Sequence, residues 1–233
     1  MARVDPSVDK TMLAEVLLVM AALMLTAVGQ WIVFDQTTPF FQAFDAHTKH
    51  EWVGRIAGSL SQLGIILCWM LEGPTTVWGQ SLLIGYTLHD ILHMLVYETD
   101  ITSYIHHIVS VTVFGLMKLT MTPEQTESTA LATVILESTS PVLSLTWLLK
   151  QAGYSGHPLF KYIAGGAAVF FGVMRCGVFP WAMAKKMDRT TALVLIPFLA
   201  LNVYWFRKIV KMMLKVLERK EEPASNSEQS HEA

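Results

Sequence analysis

Long apolar segments follow one another along most of this chain, with short polar stretches between them. Seven segments are long enough to cross a bilayer as helices, since the hydrocarbon core takes about 20 apolar residues. They span residues 12–34, 52–71, 80–97, 104–121, 129–149, 160–183 and 191–216. Turn-forming runs such as Glu72-Gly73-Pro74 separate neighbouring segments. The pattern predicts an all-α fold, a polytopic membrane helix bundle of about seven transmembrane helices.

Composition limits what such a protein can be. Of its 233 residues, 52% are hydrophobic and 15% are charged, and the mean hydropathy is +0.42. Seven spans of about 20 residues leave too little chain for a separate soluble catalytic domain. The net charge of −2 excludes a broadly basic nucleic-acid binder. The expected partners are therefore membrane lipids and not nucleic acid. No pattern in the sequence indicates an oligomeric state.

The distribution of basic residues predicts the orientation in the membrane. With seven spans, the two termini lie on opposite sides. Of the 17 lysines and arginines, ten fall on the side of the C-terminus, six on the other side, and Arg175 within a span. Because cytoplasmic loops carry an excess of Lys and Arg, we predict a luminal N-terminus and a cytosolic C-terminus.

The third span carries a polar stripe on an otherwise apolar helix. Tyr86, Asp90, His93 and Tyr97 are spaced by four, three and four residues, which places them within one arc of a helix, and His89 lies beside that arc. Ionisable groups inside hydrocarbon cost about 2.5 kcal/mol or more, so they are candidates for function. The same stripe could instead line a water-filled crevice or bond to neighbouring backbone.

The fourth span opens with an adjacent histidine pair, His106 and His107, and Ser110 follows one turn deeper. Imidazole titrates near neutrality, and a carboxylate bonded to one ring nitrogen makes the other nitrogen a better base. With Asp90 as that carboxylate, the group has the logic of a nucleophilic triad whose nucleophile is a lipid hydroxyl or amine. We therefore predict His106, His107 and Asp90 as catalytic residues.

Polar groups continue in the fifth and sixth spans. Glu137 and Ser140 share one face of the fifth, beside Pro141, which should kink the helix, and the sixth contains Arg175. An unpaired guanidinium in hydrocarbon is costly, so we predict that Glu137 or Asp90 compensates Arg175, a pairing that could be purely structural. The predicted substrate-binding residues are Tyr86, His89, His93, Tyr97, Ser110, Glu137, Ser140 and Arg175.

A metal site is an alternative explanation of the same histidines. His89 and His93 are one helical turn apart, a spacing that can chelate a metal, and His106 with His107 could add two ligands. Membrane di-iron enzymes carry more histidines in several boxes, and Ser103 stands where an H-x-x-H-H box needs histidine. The expectation is therefore no metal and no bound cofactor.

Three stretches together resemble a known family, the TLC domain of TRAM, LAG and CLN proteins. They are the run 85–90, which reads GYTLHD and precedes the histidine pair, the run 136–147, which reads LESTSPVLSLTW, and the "F-x-x-x-R" element that ends at Arg175. The resemblance covers residues 52–216. It gives a domain plan of an N-terminal tail at 1–11, one extra transmembrane helix at 12–34, the TLC domain at 52–216 and a disordered polar tail at 217–233.

The resemblance implies a multi-pass endomembrane protein concerned with lipids, with residence in the endoplasmic reticulum. Ceramide synthases of this family acylate a sphingoid base with acyl-CoA and need an adjacent histidine pair, so His106 and His107 would carry acyl transfer, with acyl-CoA as co-substrate and Asp90 beside them. Ceramide synthases also carry an H-D-x-x-D segment, where this chain reads ESTSP at 137–141. The chain thus looks more like small TLC proteins associated with membrane lipid composition.

Two functions remain open at this point. One is lipid metabolism or homeostasis, with acyl transfer at the histidine pair if the protein is an enzyme. The other is a non-catalytic lipid-binding, trafficking or cargo protein that uses the same polar cavity. The two differ in one structural respect: whether the histidine pair contacts Asp90 across an open cavity of substrate size.

Overall fold

A computed structural model describes the backbone of residues 6–73, 77–97, 101–120 and 122–218. It describes the side chains of residues 14–73, 79, 81–95, 101–114 and 122–214. Every regular element in these ranges is a helix, which confirms the predicted all-α membrane bundle. The predicted disordered tail at 217–233 lies almost entirely outside the described residues.

Eleven α-helices, a short 3-10 helix (Tyr154–Gly156) between the seventh and eighth of them and one π-helical segment make up the described chain. The first four helices are α1 (Pro6–Thr37), α2 (Pro39–Gln42), α3 (Ala46–Glu72) and α4 (Val77–Tyr97). They are followed by α5 (Ile101–Thr120), α6 (Pro123–Glu137), α7 (Ser140–Gln151) and α8 (Pro158–Phe171). A π-helix (Gly172–Val178) joins α8 to α9 (Phe179–Lys185), and α10 (Arg189–Val194) and α11 (Ile196–Glu218) complete the bundle.

The seven predicted spans all fall on these helices, although three of them are interrupted. By length and composition, four helical stretches of the described residues could cross a membrane: Ala14–Thr37, Ala46–Glu72, Pro123–Gln151 and Pro158–Lys185. The other long helices are more marginal. Polar residues explain this, because α4 carries the polar stripe and α11 carries basic residues in its second half.

Aspartates cap two helices and mark two ends of the bundle. At the start of α3, Asp45 accepts hydrogen bonds from the backbone N and the Oγ1 of Thr48, at 2.9 and 2.8 Å. These bonds lower the pKa of Asp45. At the start of α10, Asp188 accepts from the backbone N–H groups of Thr190 and Thr191. Partial burial raises the pKa of Asp188, but the hydrogen bonds from Thr191 and Thr190 outweigh it and lower the pKa overall. Both carboxylates stay ionised, as expected outside hydrocarbon.

Proline breaks the fifth predicted span at the expected place. Pro141 has no N–H to donate to the carbonyl of Glu137, so the helix stops there and α7 begins at Ser140. The interruption leaves backbone carbonyls near residue 136 available to other donors. A second irregularity, the π-helix at 172–178, lies in the next span and contains Arg175. Such π-segments often occur at functional sites.

Apolar and polar groups separate along the bundle. A buried core that includes Ile65, Phe114, Ile135, Phe179 and Leu195 fills the half of the bundle where α3 ends and α6 begins. The opposite half, where α3 and α5 begin and α11 ends, contains the polar residues predicted from the sequence. The site therefore lies at one end of the membrane-spanning bundle, next to this apolar core.

The first helix packs tightly on the helix that carries the polar stripe, and this packing makes a testable prediction. A Cβ at Gly85 would lie 2.7 Å from Cγ1 of Val19 and 3.2 Å from the backbone oxygen of Val16. Because the backbone cannot yield, Gly85→Ala should push α1 away from α4 and destabilise the protein by about 1–3 kcal/mol. The thermal midpoint of the purified protein in detergent measures this.

The matched control is Gly29→Ala on α1, where a Cβ would meet nothing within 4 Å. Alanine is favoured over glycine in a helix by about 0.5–1 kcal/mol, so this variant should be at least as stable as the native protein. Equal thermal midpoints for Gly85→Ala and the native protein would contradict the close packing of α1 on α4.

Candidate functional site

A polar cavity of about 450 Å³ opens at the end of the bundle where α3 and α5 begin. Helices α3, α4, α5, α7 and α11, the π-helix and the last residues of α6 and α8 contribute its walls. Nine of the predicted site residues line it: Tyr86, Asp90, His93, His106, His107, Ser110, Glu137, Ser140 and Arg175. Residues from four predicted spans thus meet in one space of the size of small-molecule sites.

Asp90 and His107 form the closest polar contact in this cavity's histidine cluster. Nε2 of His107 lies 2.7 Å from Oδ2 of Asp90, and both side chains are largely buried, with relative exposures of 12% and 22%. The contact arises because Asp90 lies on the polar stripe of α4, and α5 returns antiparallel alongside it. The other ring nitrogen of His107, Nδ1, is buried and has no hydrogen-bond partner in the part of the chain that the structure describes.

His106 is held by aromatic contacts rather than by a carboxylate. Its ring centroid lies 5.0 Å from that of His107, 5.6 Å from Phe198 and 5.2 Å from Trp205. Its Nδ1 is also buried without a hydrogen-bond partner among the described residues. A buried unpaired nitrogen costs about 1–3 kcal/mol, and a catalytic role is one of the reasons for which proteins keep such atoms.

Tyr86 and Gln62 form another part of the cavity wall. Nε2 of Gln62 lies 3.5 Å from the hydroxyl of Tyr86, and the Tyr86 ring meets the ring of His107 edge-on at 6.4 Å. A Cβ at Gly58 would lie only 3.1 Å from the Tyr86 hydroxyl. Glycine at this position of α3 therefore makes room for the phenol, and Glu137 lines the same cavity.

Arg175 does not form the ion pair predicted from the sequence. Among the described residues, no carboxylate oxygen lies within 4.0 Å of its guanidinium. It donates instead to neutral acceptors, namely the backbone oxygen of Leu136 (2.6 Å), Oγ1 of Thr139 (2.7 Å), Oγ of Ser140 (2.9 Å) and Oδ1 of Asn202 (3.1 Å). A direct contact is absent because the break between α6 and α7 supplies backbone and hydroxyl acceptors for the guanidinium. Glu137 and Asp90 line the same cavity as Arg175, so their compensation of its charge at longer range stays a prediction.

The two remaining predicted residues belong to α4, and of these His89 does not line the cavity. His89 is 6% exposed and lies behind His93, with the two rings stacked at 6.4 Å. The side chain of Tyr97 lies outside the described residues. Within the described ranges, no three His, Cys, Asp or Glu side chains converge in a way that could hold a metal ion.

Several residues of the cavity wall are not predicted from the sequence, among them Gln62, Arg55, Trp205 and Lys208. Arg55 pairs with Glu51 at 2.7 Å and its guanidinium lies 4.5 Å from the centre of the Trp147 ring. Gln62 could have been predicted from the sequence, because a side-chain amide in the middle of an apolar helix needs a polar neighbour. Trp205 could not, because tryptophan is common at membrane interfaces.

The comparison with known families decides what kind of protein this is. The model of the TLC domain matches residues 16–211, most of the chain. The chain belongs to the TLC domain family. It is 25% identical over 201 residues to "TLC domain-containing protein 4 A" of Dictyostelium discoideum, an alignment that covers 74% of this chain and 78% of that protein. No solved structure matches the chain.

The family assignment confirms the resemblance that the sequence motifs indicated. TLC domain proteins are associated with membrane lipid metabolism and homeostasis. The family match begins inside α1. The division into a separate N-terminal helix and a domain at 52–216 stays a prediction.

Proposed function

We propose that this TLC domain protein transfers an acyl group to a membrane lipid at the His106/His107 pair, with acyl-CoA as donor. The observation that supports this most is the Asp90–His107 contact at the wall of an open cavity of about 450 Å³. This is the arrangement that separates an acyl-transfer site from a helix-filled scaffold.

The chemistry follows from the two ring nitrogens of His107. Asp90 engages Nε2, so it fixes the tautomer in which Nε2 carries the proton and Nδ1 is free to act as a base. A lipid hydroxyl or amine that reaches Nδ1 gives up its proton as its oxygen or nitrogen attacks the thioester carbonyl. The carbon–sulfur bond then breaks, and His107 passes the proton that it took from the lipid to the departing thiolate. Such acid–base assistance contributes about 10²–10⁴-fold in rate.

Basic residues at the mouth of the cavity suit an anionic donor. Arg55 and Lys208 both line it, on α3 and α11, at the end of the bundle where the C-terminal basic residues also lie. Coenzyme A carries phosphates, which arginine and lysine bind well. If the C-terminus is cytosolic, this mouth opens toward the compartment that contains acyl-CoA.

A non-catalytic lipid-binding or cargo protein would use the same cavity in another way. It needs the volume and the polar lining, but it does not need a carboxylate that orients one histidine. The Asp90–His107 contact therefore favours the catalytic proposal.

Comparative lipidomics of cells with and without the protein tests the proposal. We expect one lipid class to lose acylated species and to accumulate the unacylated hydroxyl or amine precursor in cells that lack the protein. The native protein should restore the profile when it is expressed again. Changes in lipid distribution between membranes, with total acylated species unchanged, would contradict acyl transfer and support the binding function.

The proposed location is the endoplasmic reticulum, with a luminal N-terminus and a cytosolic C-terminus. Small tags at both ends, read by antibody after selective permeabilisation of the plasma membrane, measure the orientation. We expect only the C-terminal tag to be accessible until the internal membrane is opened, because the basic residues concentrate near that end. Accessibility of both tags at the same step would show an even number of spans.

A further inference from the structure

We propose that an apolar groove between α5 and α11 is the seat of an acyl chain of the membrane lipid substrate. The groove has a volume of about 400 Å³ and is separate from the polar cavity. Its walls are Ile105 and Val109 on α5 and Pro197, Leu201 and Tyr204 on α11, together with His106. Ile105 and Tyr204 are 50% and 44% exposed, so the groove opens sideways to the bilayer.

The groove follows one face of each helix. Its α5 residues are 102, 105, 106 and 109 and its α11 residues are 197, 198, 200, 201 and 204, and at 100° per residue each set falls on one face of its helix. Seven residues of helix rise about 10 Å, so the groove runs along the bundle for about that length. A hydrocarbon chain that lies along the helices fits this shape, whereas a compact polar ligand does not.

His106 connects the groove to the polar cavity, because its side chain lines both. Trp205 packs on the cavity side of the imidazole and Phe198 on the groove side. The indole of Trp205 is held in place by a hydrogen bond from its Nε1 to Oγ1 of Thr102, at 3.3 Å. His106 thus lies where a polar and an apolar space meet.

This pair of spaces matches the chemistry of an amphiphile. The polar cavity contains ionisable groups that suit a headgroup with a hydroxyl or amine, and the groove offers almost only carbon. A lipid that enters from the bilayer would place its chain in the groove and its headgroup at the histidine pair. The charged mouth between α3 and α11 then remains free for the acyl donor. The inference rests on the proposed function only in naming this lipid as the acyl acceptor.

Photolabelling of the full-length protein in nanodiscs tests the groove. The probe is phosphatidylethanolamine with a diazirine in one acyl chain, and labelled peptides are mapped by mass spectrometry. Labels should concentrate on the α5 and α11 segments that contain residues 105–109 and 197–204. Leu201→Trp, which fills the groove, should lower this labelling about tenfold. The matched control Val203→Trp places the same side chain two residues away, at a position 44% exposed and outside the groove, and should not.

Three outcomes would overturn the groove assignment. They are equal labelling of the two tryptophan variants, labels spread evenly over the lipid-facing helices, and groove labels from a diazirine-bearing palmitoyl-CoA but none from the phospholipid. Ala200→Met narrows the same groove and serves as a second test if Leu201→Trp does not purify as a single species. Asp90→Asn separates this inference from the proposed function, because it should change the lipid profile of cells and yet keep the groove labelling. An unchanged lipid profile with the labelling kept would contradict the proposed function and leave the groove assignment standing.

Discussion

Substitution of His107 by alanine should abolish the effect of the protein on the cellular lipid profile. His107 is the imidazole that Asp90 contacts directly, so its loss removes the proposed base and should lower the rate by about 10²–10⁴-fold. His106→Ala should act in the same direction, because it removes the second imidazole of the pair. Lipidomics of knockout cells that express each variant at matched abundance measures the result.

The effect of His107→Ala on folding must be measured separately from its effect on the reaction. The reason is that His107 is more buried than its position near the start of a span indicates. Its side chain is 12% exposed, and alanine would leave the Asp90 carboxylate without this partner. Size-exclusion profiles of each variant in detergent supply the check. The matched control is His157→Asn in the α7–α8 connection, where Nδ1 of His157 accepts from the backbone N of Leu159 and asparagine can cap α8 equally well.

Asp90→Asn should cause a smaller loss than His107→Ala. The amide keeps the shape of the carboxylate but no longer favours the tautomer with a free Nδ1, so the base is disturbed rather than removed. A binding protein would respond in a graded way, by about 0.5–1.5 kcal/mol of lipid affinity for each hydrogen bond lost. Normal lipid profiles in a His106/His107 double variant would reject the catalytic proposal.

Much of the bundle and of its site could be predicted because both depend on periodicity. An apolar run of about 20 residues predicts a span, and polar residues at steps of three and four predict one helix face. Tyr86, Asp90 and His93 indeed line one cavity. His89 does not line the cavity, because it lies at the edge of the arc. A small rotation of α4 about its axis determines whether a residue at that edge faces the cavity or packs against a neighbouring helix.

The partners of Arg175 could not be predicted, for a physical reason. A buried guanidinium requires acceptors, and in a regular helix every backbone carbonyl is already used, so a carboxylate is the expected partner. Here Pro141 interrupts the helix, and the π-helix turns Arg175 toward the interruption. Which carbonyl such a break frees depends on the packing of three segments and not on any local pattern.

This network makes Arg175→Met the substitution with the largest expected effect on folding. Methionine replaces only the apolar stem of the side chain and donates nothing to the carbonyl of Leu136 or to the hydroxyl of Thr139, both bonded to Arg175 within 2.7 Å. Hydrogen bonds to a charged group contribute about 1.5–3 kcal/mol each, so the loss of two should destabilise the protein by at least about 3 kcal/mol. The yield of monodisperse protein and its thermal midpoint should both fall sharply.

Two further variants show whether this loss comes from the hydrogen bonds. Arg175→Lys keeps the charge but presents one ammonium group in place of the planar fork, so it should recover only part of the stability. Arg189→Met removes an exposed arginine at the start of α10 and should behave as the native protein. The Arg175 hydrogen bonds across the break between α6 and α7 hold α7, α11 and the π-helix together around the cavity. Equal protein yields and equal thermal midpoints for Arg175→Met and Arg189→Met would contradict this.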